Sequence, residues 1–234
     1  KGSTIVPQFI KKPNFLPRSG SLVMWTICLL PFFWLLRLTW LTCIENISVT
    51  DGLGANPIEF VHDYLGLWAL KFLIITLSIK PISFLFHASL LNQFRRIFGL
   101  FTFFYSVLHT AAYIALEQNF ELAPIWEDVV NRPHITLGVI GFLALIPLAI
   151  TSTSWGKQKL GNTSWKNLHR LVYVAGTAGC LHFILIRKGI QVEPIAYTVV
   201  FVCFLIGQFV FSFLRRKKIV DCASSKKPLK IKYR

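Results

Sequence analysis

The chain has 234 residues; 54% of them are hydrophobic, only 15% are charged, and the formal net charge is +15. Soluble domains carry roughly 25% charged residues, so this composition indicates a membrane protein. The basic residues cluster in loops and at the C-terminus, between long apolar runs, which excludes a solvent-exposed nucleic-acid-binding face. The five cysteines form no CxxC pair, so neither a disulfide framework nor a zinc site is expected.

Six segments are long and apolar enough to cross a bilayer, which takes about 20 residues in a helix. In chain order they are 22–44, 64–85, 95–116, 134–151, 167–186 and 194–214. The sequence therefore predicts an all-α membrane protein, a six-transmembrane-helix bundle over residues 22–214. The flanking basic segments, 1–21 and 215–234, are predicted to be cytoplasmic.

The distribution of charge between the loops predicts the orientation of the bundle. With the N-terminus inside, the cytoplasmic segments hold 20 Lys and Arg residues, and the opposite side holds three. Acidic residues run the other way, with nine outside and only Asp221 inside. The positive-inside rule then gives an N-in/C-in topology.

Two basic residues, Arg37 and Lys71, fall within predicted spans. A long basic side chain can extend toward the membrane interface, and it can also pair with the acidic group of a cofactor. For Lys71 the sequence leaves both interpretations open. For Arg37 the sequence favours extension of the side chain toward the membrane interface.

Three of the six histidines lie inside predicted spans: His109, His169 and His182. The others, His62, His87 and His134, fall in loops or at helix entrances and are expected to be ordinary surface histidines.

The third and fifth predicted spans run in the same direction, so His109 and His182 should lie at similar depth toward the outer leaflet. Two neutral imidazoles facing each other across a bundle are what a six-coordinate haem iron requires. The small residues of "VAGTAGC" (174–180) would leave room for a flat macrocycle, and they would equally suit close helix packing.

His169 lies thirteen residues before His182 in the same predicted span, about 19.5 Å along an ideal helix. It would therefore reach the inner leaflet, where a second haem could bind. At the matching position of the third span stand Arg95 and Arg96 instead of a histidine. These arginines could pair with haem propionates or a flavin phosphate. Alternatively, they only follow the positive-inside rule.

Several stretches, taken together in their order and spacing, resemble one known family. They are "LLPFFWLL" (29–36), "DGLGANPIE" (51–59), "LGLWALKFLIITLSIKPI" (65–82), "RRIFGLFTFFYSVLHTAAY" (95–113), "NRPHITLGVIG" (131–141) and "TSTSWGKQKLGNTSWKNLHRLVYVAGTAGCLHF" (151–183). The chain resembles the MsrQ/YedZ family, the haem-binding membrane subunits of the bacterial protein-methionine-sulfoxide reductase system. That family belongs to the wider ferric-reductase-like transmembrane group.

The resemblance implies a multi-pass protein of the bacterial inner membrane that carries haem b, one or two groups, and is associated with FMN. It maps the haem-associated histidines onto His109, His169 and His182. It also implies a periplasmic molybdopterin-containing methionine-sulfoxide reductase as electron acceptor. The donor would be the quinone pool or a cytosolic flavin reductase. One departure is "LGL" (65–67), where the family usually has "TG".

The residues after Leu214 form a short basic tail without a Gly-rich nucleotide loop, which favours a relay whose donor and acceptor are separate molecules. The sequence contains no nucleophile–base pair, so the chain is not expected to be an enzyme on its own. One alternative is a ferric-reductase-like cytochrome b that reduces a metal ion directly. A proton-coupled transporter, with histidines as proton relays, is the other.

Overall fold

A computed structural model of the chain describes residues 18–44, 53–186 and 191–224. Within these ranges the secondary structure is helical and contains no strand. The helices are α1 (Arg18–Ile44), α2 (Pro57–Leu85), α3 (Arg95–Ala112), α4 (Leu122–Asn131), α5 (Pro133–Ile150), α6 (Ser154–Leu168), α7 (Leu171–Ile186) and α8 (Val192–Ser224). A short 3₁₀ helix, Ser89–Gln93, precedes α3, and one turn of π-helix, Tyr113–Glu117, follows it.

Five stretches of helix in the described residues are long and apolar enough to cross a membrane, and α6 with α7 makes a sixth if that bent pair is one span. The outward faces of the peripheral helices are apolar as well. Leu22 and Phe33 of α1 and Ile206 and Phe209 of α8 are all more than half exposed. Contiguous apolar surface of this kind suits lipid, so the predicted all-α membrane bundle is confirmed.

Helix α2 begins at Pro57, seven residues before the predicted span. The side-chain oxygen of Asn56 accepts a hydrogen bond from the backbone N–H of Glu59, and Pro57 occupies the first helical position. Both features are favourable at a helix N-terminus. As a consequence, His62 lies inside the helix and not at its entrance.

The fifth predicted span, 167–186, is wrong as one continuous helix. Helix α6 ends at Leu168, His169 is its C-terminal cap, and α7 begins at Leu171 with a bend of 43° between the two helices. Within α6, Gly161 has a non-helical backbone with φ of 73°. The thirteen residues from His169 to His182 therefore do not follow one helix axis, and the ideal-helix separation does not apply.

Two further segments depart from the predicted loops. Helix α4 lies between the third and fourth spans and was missed because ten residues cannot cross a bilayer. Helix α8 continues to Ser224, ten residues into the segment predicted as a basic tail. Neither segment is a long apolar run, which is why the pattern of membrane spans did not predict it.

The interior is built from two helix pairs, α2 with α3 and α5 with α7. Helix α1 packs on α3, where the buried hydroxyl of Tyr105 donates a 3.0 Å hydrogen bond to the carbonyl of Cys28. Helix α8 packs on α2 and α7, and the ring of Phe201 fills the space where Gly176 has no side chain. In lipid such close packing and interhelical hydrogen bonds hold helices together. The two pairs are left facing each other across a central cavity.

Candidate functional site

The central cavity has a volume of about 650 Å³. Residues of α2, α3, α5 and α7 form its walls, and Ile125 and Val129 of α4 line it from the outer end. The walls are mostly aliphatic and aromatic, with glycines on three of the helices. A large apolar cavity with a few polar groups is typical of a small-molecule or cofactor site.

His109 of α3 and His182 of α7 both line this cavity. Their ring centroids are 6.0 Å apart, and the ring planes are almost perpendicular, at 89°. One histidine comes from each helix pair. The structure thus brings together, at the same depth, the two histidines that the sequence placed on parallel spans.

Each of these imidazoles is hydrogen-bonded to the backbone of the neighbouring helix in its own pair. The Nδ1 of His109 is 3.0 Å from the carbonyl oxygen of His62 in α2. The Nδ1 of His182 bonds in the same way to the carbonyl of His134 in α5. A carbonyl can only accept, so Nδ1 carries the proton in both rings and Nε2 keeps a free lone pair. This is the tautomer that binds a metal through Nε2.

His62 is not the solvated surface histidine that the sequence suggested. Its ring stacks on that of His109 with centroids 4.0 Å apart and an angle of 15° between the planes. Its Nδ1 lies 3.7 Å from a carboxylate oxygen of Glu117. Its Nε2 is buried and has no hydrogen-bond partner in the described part of the chain. His62 therefore belongs to the wall of the cavity.

His134 contributes mainly through its carbonyl, since its ring is 6.3 Å from that of His182. Reasoning from side chains missed both acceptors because a backbone carbonyl has no residue identity. A signal was nevertheless present: "HDYLG" (62–66) and "HITLG" (134–138) place a histidine and a glycine at the same spacing on two helices.

His169 lies apart from this site. It stacks on Trp165 with ring centroids 3.9 Å apart, and its Nδ1 is 3.1 Å from the carbonyl of the same residue. It is not among the residues that line the cavity. Arg95, which is half-buried at the start of α3, is close enough to act electrostatically on both His169 and Tyr173. Arg96 is exposed.

The two basic residues inside spans also lie away from the cavity. The ammonium group of Lys71 is 4.8 Å from the ring centroid of Trp68. Lys71 lines a separate groove of about 300 Å³ between α2 and α8. The guanidinium of Arg37, an exposed residue, lies over Trp34 at 5.6 Å. His87 is exposed at the inner end of α2.

A network around the buried side chain of Asp128 fastens α4 over the outer end of the cavity. One carboxylate oxygen accepts hydrogen bonds from the hydroxyl of Tyr113 at 2.7 Å and from the amide nitrogen of Gln118 at 2.8 Å. The other oxygen is 2.9 Å from Nε of Arg132. The network joins the π-helical turn after α3 to α4 and α5.

The fold and the cavity together define the class of protein to which the chain belongs. A bundle of apolar helices around a histidine-lined cavity is a multi-pass membrane protein, and a family model described as "Ferric reductase like transmembrane component" matches residues 65–180.

Known relatives narrow this class to one family. The "Protein-methionine-sulfoxide reductase heme-binding subunit MsrQ" of Brucella ovis is 37% identical over 205 residues, which are 86% of this chain and 88% of the relative. The protein of the same name from Brucella anthropi is 40% identical over 175 residues, 75% of this chain and 79% of the relative. The chain belongs to the MsrQ family, which confirms the resemblance seen in the sequence.

Proposed function

We propose that the chain binds b-type haem between His109 and His182 and acts as the electron-transfer subunit of a methionine-sulfoxide reductase system. The observation that carries this proposal is the pair of facing imidazoles in an apolar cavity, each with its Nδ1 proton held by a carbonyl. The name of the MsrQ relatives, which describes a heme-binding subunit of that system, supports it.

The residues of the cavity fit a haem group. A volume of about 650 Å³ lies within the range of roughly 300–1,000 Å³ that is usual for cofactor and ligand sites. A bond between a metal and an imidazole nitrogen is about 2 Å long, so two such bonds and the two ring halves span on the order of 6 Å. The observed centroid separation of 6.0 Å matches that span. The rest of the cavity would be left for the macrocycle.

Haem, when bound, supplies the reversible one-electron chemistry of its iron. His109 and His182 would hold it from both sides, which favours electron transfer over the binding of small ligands. The carbonyls of His62 and His134 fix the ring orientations and raise the basicity of both nitrogen ligands. The mostly apolar walls would give the bound group surroundings of low polarity.

The electrons are proposed to pass to a periplasmic molybdopterin-containing enzyme that reduces methionine sulfoxide in oxidised envelope proteins. The chain would then lie in the bacterial inner membrane and would not be an enzyme on its own. Three exposed carboxylates offer an acidic docking surface for such a partner: Glu117 in the π-helical turn after α3, Glu121 at the N-terminus of α4, and Glu127 within α4. The proposed electron donor is the quinone pool or a cytosolic flavin reductase.

A second cofactor site on the inner side is also part of the proposal. His169, Arg95 and Arg96 would contribute to it, with either FMN or a second haem as the occupant. The electrostatic proximity of Arg95 and His169 supports this grouping. Lys71 remains a candidate for contacting an acidic cofactor group, although its groove lies on a different face of α2 from the cavity.

The proposal is tested by measuring haem content with the pyridine-haemochrome assay and reduced-minus-oxidised spectra on the purified protein. We expect His109→Ala and His182→Ala to lose the outer haem, because each removes one of the two side chains that would hold it. We expect His169→Ala to keep it and to lose reduction from the inner side. His87→Ala is the matched control, since His87 is exposed and lies outside the cavity.

Full haem content in both His109→Ala and His182→Ala would overturn the proposal that these histidines bind the haem. Absence of a Soret band from the purified protein would mean that the chain binds no haem, and it would favour the proton-coupled transporter.

The match to the ferric-reductase-like component supports a second candidate function, direct reduction of a metal ion. Oxidation of the reduced protein by Fe³⁺, without the partner enzyme, would favour that candidate.

A further inference from the structure

Two glycines lie against the two cavity histidines in the same way. A Cβ atom built on Gly66 of α2 would be 3.0 Å from Cε1 and 3.1 Å from Nδ1 of His109. A Cβ atom on Gly138 of α5 would be 3.1 Å from both Cε1 and Nδ1 of His182. Ordinary van der Waals contact begins at about 3.4 Å. The Nδ1–Cε1 edge of each ring therefore lies where a side chain at the glycine position would press on it.

The position of these glycines in their helices explains the contact. A helical carbonyl already accepts the N–H of the residue four positions later, and here those residues are the glycines, 66 after 62 and 138 after 134. A second donor can reach the carbonyl only if the side chain at that fourth position leaves room. Glycine leaves that room, so each ring can approach and donate Nδ1–H to the carbonyl.

We infer that Gly66 and Gly138 are positioning residues for the cofactor site, acting through the carbonyls of His62 and His134. The unit is a histidine carbonyl and a glycine four residues later, present once in each helix pair. It imposes on both histidines the tautomer with a free Nε2 and the orientation toward the cavity. This inference rests on the proposed haem ligation by His109 and His182.

The test is a titration of haem into the detergent-solubilised apoprotein, followed by Soret absorbance and by the midpoint potential of the bound haem. In Gly66→Ala and Gly138→Ala the ring must move by a few tenths of an ångström, and its hydrogen bond weakens. Loss of such a partner typically lowers affinity about 10- to 100-fold, and we expect a loss in that range. The midpoint potential should rise, because a less basic imidazole stabilises the oxidised iron less.

Two alanine variants serve as matched controls. In Gly99→Ala, on the same helix as His109, the nearest atom to the new Cβ is Thr76 Cγ2 at 3.7 Å. In Gly207→Ala no atom lies within 4 Å. Both should bind haem like the wild type. Size-exclusion chromatography and far-UV circular dichroism of each apoprotein establish that the variants are folded.

A further variant separates the carbonyl from the side chain. His134→Ala keeps the backbone acceptor and removes only the ring, so it should lose less haem affinity than Gly138→Ala. Equal losses in His134→Ala and Gly138→Ala would overturn the inference, as would glycine variants that behave like Gly99→Ala. If instead His109→Ala and His182→Ala bind haem normally in the same titration, the haem ligation itself is wrong. The two failures are therefore distinguishable.

Discussion

At the scale of single residues, Asp128 lies at the centre of the hydrogen-bond network at the outer end of the cavity. Its nearly buried carboxylate takes three donors, from Tyr113, Gln118 and Arg132. An asparagine can accept through only one of its two side-chain positions, so at least one charge-assisted bond is lost. We expect Asp128→Asn to lower the free energy of unfolding by about 1.5–3 kcal/mol. Thermal unfolding in detergent, followed by tryptophan fluorescence, measures the change.

The neighbouring carboxylate provides the control for this prediction. Glu127 is exposed, and substitutions at exposed positions usually change stability by less than about 0.5 kcal/mol. Glu127→Gln should therefore unfold like the wild type. Equal stability of the Asp128 and Glu127 variants would mean that the network does not fasten α4.

At the same scale, the sequence predicted part of the site for a clear reason. His109 and His182 could be paired because two parallel spans fix their relative depth, and depth depends only on counting residues. The acceptor carbonyls of His62 and His134 could not be predicted from side-chain chemistry, since every residue carries the same carbonyl. His62 was assigned to the surface because the start of α2 was placed too late. The late start predicted for α2 therefore led to the expectation that His62, which lies in the cavity wall, is exposed to solvent.

Among the helices, α6 contains a local departure from helical geometry that only glycine adopts easily. Gly161 has φ of 73° and ψ of 160°, a region in which other residues cost about 1–3 kcal/mol. No atom lies within 4 Å of a Cβ built there, so the cost of a side chain is one of backbone conformation alone. We expect Gly161→Ala to lower the free energy of unfolding by about that amount, as measured by thermal unfolding.

Gly207 of α8 is the matched position, because it also has open space around it but lies in a helix without such a kink. Alanine is favoured over glycine in a helix by up to about 1 kcal/mol. Gly207→Ala should therefore be neutral or slightly stabilising. Similar destabilisation in both variants would show that the backbone of Gly161 is not the cause.

The helices themselves were predictable to different degrees. Long apolar runs identified the spans because hydrocarbon demands a continuous helix of about 20 residues. The break at His169 was not visible, since a bend within an apolar stretch changes neither its length nor its hydropathy. Helix α4 was missed for the opposite reason. Its ten residues lie at the end of the bundle, where neither length nor apolarity is required.

For the whole molecule, the asymmetry of charge predicts the orientation in the membrane. Twenty Lys and Arg residues fall on the side of both termini and three on the other. Moving the inner clusters across the bilayer is strongly disfavoured. We expect a fluorescent protein fused after Arg234 to fluoresce, and alkaline phosphatase at the same place to be inactive, because its disulfides form only in an oxidising compartment. Phosphatase fused after Gln118, at the end of the third span, should be active. The reverse pattern would place α4 and its exposed carboxylates in the cytoplasm. The protein could then not deliver electrons to a periplasmic partner through that face.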